Sequence, residues 1–113
     1  MKSILDTIKQ MLGVEISSTA FDTDIIVHIN SVLITLNQLG IGTENFFITG
    51  NSETWDDFLN NTAGLEIIKS YVYLKVKILF DPSTNSSVND AITRQISELE
   101  WRLNIKAEST LTF

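Results

Sequence analysis

An uninterrupted run at residues 65–80, LEIIKSYVYLKVKILF, constrains the fold of this chain more than any other feature. Intrinsic propensity favours a strand, because apolar residues alternate with others over 72–80. A strand spanning the whole run would far exceed the usual five or six residues, whereas a helix of this length is ordinary. Such a helix would stop at Asp81, because Pro82 disfavours helical geometry in the residue before it.

The polar residues of this run also favour a helix. Glu66, Lys69, Ser70 and Lys77 gather in one sector of a helical wheel, with Lys75 as the exception. The rest of the surface is mostly apolar, and a strand would have no clear partner strands. We therefore predict a helix that is buried on several sides, as the central member of a helical bundle.

Two helices are predicted before this run. The first starts at Ser3 and ends at Gly13, and it has one apolar face. The second starts near Asp22 or Thr23 and runs to Leu39, with Gly40 as its left-handed stop. Its core-facing stripe is predicted to contain Ile25, Ile29, Val32, Leu33, Leu36 and Leu39.

A loop and two more helices complete the predicted fold. The loop IGTENFFITGNS leads to a short helix capped by Ser52 or Thr54 and closed by NNTAG. The last helix is predicted to start with a capping box of Ser87 and Asp90. Its apolar stripe is Val88, Ile92, Ile96, Leu99 and Leu103. The expected fold is an all-α domain, residues 1–106, a small bundle of four to five helices, followed by a short extended tail, 107–113.

Composition disfavours several functions. The net charge of −6 repels phosphate backbones and anionic lipids, so nucleic-acid or membrane binding is not expected. The uncharged stretch 25–42 contains too many polar side chains for a membrane span, and the start of the chain lacks the apolar centre of a signal peptide. The absence of cysteine from the sequence fits a reducing cytosol.

No constellation of catalytic or metal-binding residues stands out. Asp24 and His28 are spaced as a metal-ligand pair, but His28 is the only histidine and there is no second pair. The acidic residues of the last helix are scattered by helical spacing and have Arg94 and Arg102 as ion-pair partners. We therefore expect no enzyme activity, no cofactor and no metal.

Apolar side chains remain that the predicted core stripes do not use. Some lie on a second face of the second and last helices, and others lie in the loop and the tail. They are compatible with burial on two sides of a small bundle, with disorder of the tail, or with contacts to other subunits. The candidate interface residues are Val27, Ile34, Phe46, Phe47, Trp101, Ile105, Leu111 and Phe113.

Four stretches together resemble the head–tail connector (adaptor, or head-completion) proteins of long-tailed bacteriophages. They are, in order, FDTDIIVHINSVLITLNQLGIG, TWDDFL, KSYVYLKVKILFDPS and ISELEWRLN. The resemblance implies a non-enzymatic helical bundle that is made in the host cytoplasm and sits in the neck of the virion. It also implies a ring of about a dozen copies below the portal protein, in contact with the next neck (head-closure) protein, with DNA only as passing cargo.

Two other functions are compatible with parts of the sequence. A monomeric helical module that binds one host protein would also need exposed apolar patches. A small DNA-binding packaging or regulatory protein would need a basic recognition helix, and the arginines of the last helix are offset by its acids. The connector interpretation is therefore favoured.

Overall fold

The computed structural model describes residues 3–59 and 64–111, and their side chains as far as residue 105. This part of the chain is mostly helical and forms a small bundle, as predicted. Its five helices are α1 (Ile4–Leu12), α2 (Asp22–Gln38), α3 (Trp55–Phe58), α4 (Leu65–Phe80) and α5 (Ser86–Leu111). The predicted closing segment of α3 falls partly on residues 60–63, which lie outside the described residues.

The uninterrupted run at residues 65–80 is a helix. α4 spans the predicted residues, ends at Asp81 and packs against α1, α2 and α5. Tyr71, Val72 and Val76 are fully buried, which confirms that α4 is the centre of the bundle. Tertiary burial on three sides outweighs the strand propensity of these residues.

The ends of α1 and α3 are set by local hydrogen bonds. The Ser3 hydroxyl accepts the backbone N–H of Asp6 at 3.0 Å, and α1 stops at Gly13, whose φ is 81°. Thr54 and Asp57 form a reciprocal capping box at the start of α3, which decides between the two predicted caps. The sequence alone therefore gave both ends of α1, whereas the choice of Thr54 over Ser52 needed the structure.

The core lies between α4 and the inner faces of its neighbours. α2 contributes the predicted stripe, with Leu39 only partly buried, and the loop and α3 add apolar side chains from the other side. The largest fully buried apolar side chains are Trp55, Tyr71, Phe58, Ile4, Leu5, Ile8, Ile25, Ile29, Leu33, Leu36 and Ile48. Trp55 also donates its indole N–H to the Thr7 hydroxyl at 3.1 Å, which satisfies its one polar atom.

α5 departs from the prediction at both ends. The Asn85 side chain, not Ser87, accepts an N–H of the first turn, at 2.8 Å from the nitrogen of Ser87. Val88 is 43% exposed, so the first residue of the predicted stripe lies outside the core. The predicted extended tail from 107 is wrong as far as Leu111, because no breaker interrupts the helix there. The side chain of Leu111 and all of Phe113 lie outside the described residues.

A partly buried polar contact joins α4 to α5. The Tyr71 hydroxyl donates to Glu100 Oε2 at 2.8 Å, and Lys75 Nζ lies 3.8 Å from the same oxygen. Burial and the hydrogen bond to Glu100 raise the pKa of Tyr71 above its ordinary value of 10, so the phenol, already protonated at neutral pH, remains the proton donor further into the alkaline range. Lys75, the exception on the helical wheel, is therefore explained by a partner on α5.

Glu53 gives the fold a predicted acid sensitivity. Burial opposes its ionisation, but the backbone N–H and hydroxyl of Thr49, each 2.9 Å from Oε2, help to hold the pKa of Glu53 below its ordinary 4.5. The stabilisation is therefore complete above pH 4.5 and is lost as the pH falls through the lowered value. We expect Glu53→Gln to lower the urea midpoint of unfolding at pH 7. Below pH 4 the difference in midpoint between the variant and the wild type should become smaller. A difference of the same size at both pH values would contradict this prediction.

Candidate assembly surface

The outer face of α2 presents two exposed apolar side chains. Val27 and Ile34 are 60% and 59% exposed, and they lie two helical turns apart on the side opposite the core stripe. Burial of α2 on two sides would have hidden them. The structure thus places both predicted residues on the surface, on one face.

Ile34 continues into a shallow groove between α2 and the following loop. The groove has a volume of about 440 Å³ and is lined by Ile34, Asn37, Gln38, Glu44, Asn45, Phe46 and Phe47. Phe47 is 61% exposed. Phe46 differs from the other candidates because it is half-buried, with its ring centroid 5.3 Å from that of Phe58. Phe46 therefore forms a wall of the groove. We call Val27, Ile34, Phe47 and this groove the α2 surface.

Two asparagines of α2 hold the loop in place. The Asn30 side-chain amide donates to the carbonyl of Ile48 at 3.0 Å, and its Oδ1 accepts the backbone N–H of Ile48 at 2.7 Å. Both backbone polar groups of Ile48 are therefore bonded to one side chain, much as they would be to a neighbouring strand. Asn37 donates to the carbonyls of Ile41 and Thr43. Sequence analysis did not assign these roles, since the contacts of Asn30 span 18 residues. The bonds preorganise the loop that carries Phe47, which lowers the entropy cost of binding through it.

The outer face of α5 presents the second set of candidates. Trp101 is 64% exposed and Ile105, one turn later, is 41% exposed. Arg94 lies two turns before Trp101 on the same face, and the described residues give it no ion-pair partner. Nearby, Arg102 pairs with Glu98 at 2.7 Å. We call Trp101, Ile105 and Arg94 the α5 surface.

The α2 and α5 surfaces lie on different flanks of the molecule. Among the described residues, α2 and α5 each pack extensively on α4 but not on each other. Each surface is on the side of its helix turned away from the buried stripe. The structure therefore does not bring the predicted residues into one patch but divides them between two.

Sequence analysis missed a third exposed apolar region at the start of α2 and the end of α4. Phe21 and Leu79 are about half exposed, and the Phe21 ring meets Phe80 edge-on at 5.6 Å between centroids. Phe21 precedes the predicted start of the second helix and lies far from Phe80 in the chain, so their contact had no local signal. Phe21, Leu79 and Phe80 line a shallow groove here, and Asp24 and His28, which the sequence analysis considered as a metal-ligand pair, line it too.

A buried lysine was also missed. Lys9 of α1 is 1% exposed, and its Nζ donates to the carbonyls of Ile16 and Ser18 and lies 2.7 Å from Asp22 Oδ1. Ile16 and Ser18 belong to the segment between α1 and α2, and Asp22 is the first residue of α2. Lys9 thus ties these segments to α1 and helps to position α2. Sequence spacing gave no sign of this contact, because a lysine is rarely buried.

The described residues contain no group of three or more His, Cys, Asp or Glu side chains placed to hold a metal ion. Within the same residues, no helix is long and apolar enough to cross a membrane.

Comparison with known proteins agrees with this picture. Residues 4–110 match the model of a family described as phage connector protein. No significant match was found among curated proteins or among solved structures. The family match covers nearly the whole chain, including all the helices described above except the last residue of α5. This chain therefore belongs to the phage connector protein family.

Proposed function

We propose that this protein is a structural subunit of the phage neck that assembles as a ring below the portal protein. The observation that carries the proposal is the pair of exposed apolar surfaces on different flanks of a member of the connector family. A subunit of a closed ring needs two different contact surfaces, one for each neighbour. The portal above and the next neck (head-closure) protein below are the other proposed partners.

In this proposal the ring forms part of the conduit through which DNA passes. The net charge of −6 supports that role, because an acidic wall repels the phosphate backbone and does not retain the DNA. The protein would act without catalysis. It would be made in the host cytoplasm and incorporated into the virion.

Two substitutions test the role of the exposed surfaces. We expect Ile34→Asp and Trp101→Ala to leave the helical content of the monomer unchanged and its free energy of unfolding within about 0.5 kcal/mol of wild type, because both side chains are mostly exposed. Each should weaken assembly at least about tenfold, since central aromatic and apolar contacts dominate interface energies. Native mass across a concentration series, with imaging of large species, measures this effect.

Ile16→Asp is the matched control, because Ile16 is 45% exposed and lies outside both surfaces. It should assemble as wild type does. Unfolding of the Ile34 or Trp101 variant would show that these residues belong to the core. If the wild-type protein stays monomeric, binding of the same three variants to the portal protein decides between a connector and an unrelated monomeric binder.

A further inference from the structure

We propose that neighbouring copies meet head to tail, with the α5 surface of one copy seated in the α2 groove of the next. This inference rests on the proposed ring and specifies its contact. In particular, Trp101 would enter the groove beside Phe47, and Arg94 would pair with Glu44. The occupant of the groove is thus a second copy of this chain.

The distribution of charge favours this pairing over a symmetric one. Residues 1–64 carry eight acidic and two basic side chains, whereas residues 65–113 carry six of each. The whole net charge of −6 therefore belongs to the part of the chain that forms α1, α2, the loop and α3. Among these acids, Glu44 lines the α2 groove, so two copies that met through their α2 surfaces would bring their Glu44 carboxylates together, which is unfavourable. A contact between the α2 surface and the α5 surface avoids this repulsion, because the α5 surface presents Arg94 and not a carboxylate.

The chemistry of the groove suits the indole of a tryptophan. Ile34, Phe46 and Phe47 supply apolar walls, while Gln38, Glu44 and Asn45 supply oxygen atoms at the rim. A buried indole needs an acceptor for its N–H, and these side chains offer one. The groove volume of about 440 Å³ leaves room for Trp101, which is 64% exposed in the single copy.

Arg94 and Glu44 complement each other across this contact. Both are exposed, and the described residues give neither an ion-pair partner in the single copy. Arg94 projects from the same face of α5 as Trp101, about 10 Å away along the axis. The acidic neighbour Glu98 is already engaged by Arg102. A pair of this kind mainly sets orientation and partner choice.

Cross-linking of single-cysteine variants tests the contact, because the natural sequence contains no cysteine. Gln38→Cys marks the groove and Ile105→Cys marks the α5 surface, and both leave Trp101 in place. The two variants are mixed, either free in solution or bound to the portal protein, and treated with a short bismaleimide. The mixture should give a covalent dimer that contains one Gln38→Cys chain and one Ile105→Cys chain. Neither variant alone should cross-link, and neither should pair with Ile16→Cys.

Charge reversal gives an independent readout. Glu44→Arg and Arg94→Glu should each raise the dissociation constant of assembly about tenfold, and the double variant should regain most of the loss. A ring that forms without the mixed cross-link, cross-links between like variants, or no rescue would overturn the contact between the α5 surface and the α2 groove and leave the proposed ring standing. Absence of any assembly or cross-link, with or without the portal, would overturn both proposals.

Discussion

Gly42→Ala is expected to destabilise the protein by about 2–5 kcal/mol, a large fraction of the stability of a domain of this size. Gly42 has a φ of 83°, a conformation that costs other residues roughly 1–2 kcal/mol. An added Cβ would also overlap the ring of Phe58, which is fully buried. Displacing that ring adds an overpacking cost of about 1–3 kcal/mol.

Phe58 has little freedom to move away. Phe46 packs against the Phe58 ring. The carbonyl of Phe58 accepts both the N–H and the hydroxyl of Thr43, the residue after Gly42. The substitution should therefore also disturb the loop that carries Phe47. Urea unfolding followed by circular dichroism measures the loss of stability.

Two other glycines separate the causes. Gly13 has a φ of 81° and no atom within 4 Å of an added Cβ, so Gly13→Ala should cost only the conformational part, about 1–2 kcal/mol. Gly50 has neither the positive φ nor a close atom, so Gly50→Ala should be nearly neutral. If Gly42→Ala costs no more than Gly13→Ala, the contact with Phe58 is not tight.

Lys9→Met is expected to cost about 2–4 kcal/mol. Methionine keeps most of the apolar stem but removes the ammonium group, so two backbone carbonyls and Asp22 lose their partner. Removing one member of a buried ion pair typically costs 3–5 kcal/mol, and the partial exposure of Asp22 moderates this. The free energy of unfolding from urea titration measures the effect.

Lys69→Met is the matched control. Lys69 pairs with Glu66 at 3.6 Å, but the Glu66 side chain is 88% exposed, so the change should cost less than about 1 kcal/mol. Adding Asp22→Asn to Lys9→Met should recover part of the loss, because it removes the uncompensated charge. Equal costs for the two lysine variants would show that the Lys9 contact does not hold α2 in place.

Much of the helical fold could be predicted from local patterns. The bounds of α4 follow from the absence of breakers before Pro82, and the ends of α1 follow from Ser3 and Gly13, because these signals act within one turn. The prediction of an extended tail from residue 107 was wrong, because the rule that a helix continues until a breaker also holds for residues 107–111. Nothing in 107–111 stops a helix that five preceding turns have already nucleated.

The candidate surfaces could be predicted only in part. Helical spacing indicated that Val27, Ile34, Trp101 and Ile105 avoid the core stripes, and all four are exposed. Periodicity does not show what a loop residue contacts, so the difference between half-buried Phe46 and exposed Phe47 had no signal. Their assignment depends on Phe58, twelve residues after Phe46 in the chain.

The sequence by itself determined the positions of the helices and the faces they turn to the core, because periodicity, capping and breakers are short-range properties. Only the tertiary structure decided how those faces are arranged. It placed the α2 and α5 surfaces on different flanks of α4, formed the groove beside Phe47, and buried Lys9 against Asp22. These features depend on contacts between residues far apart in the chain, whose pairing is set by the packing of the whole core.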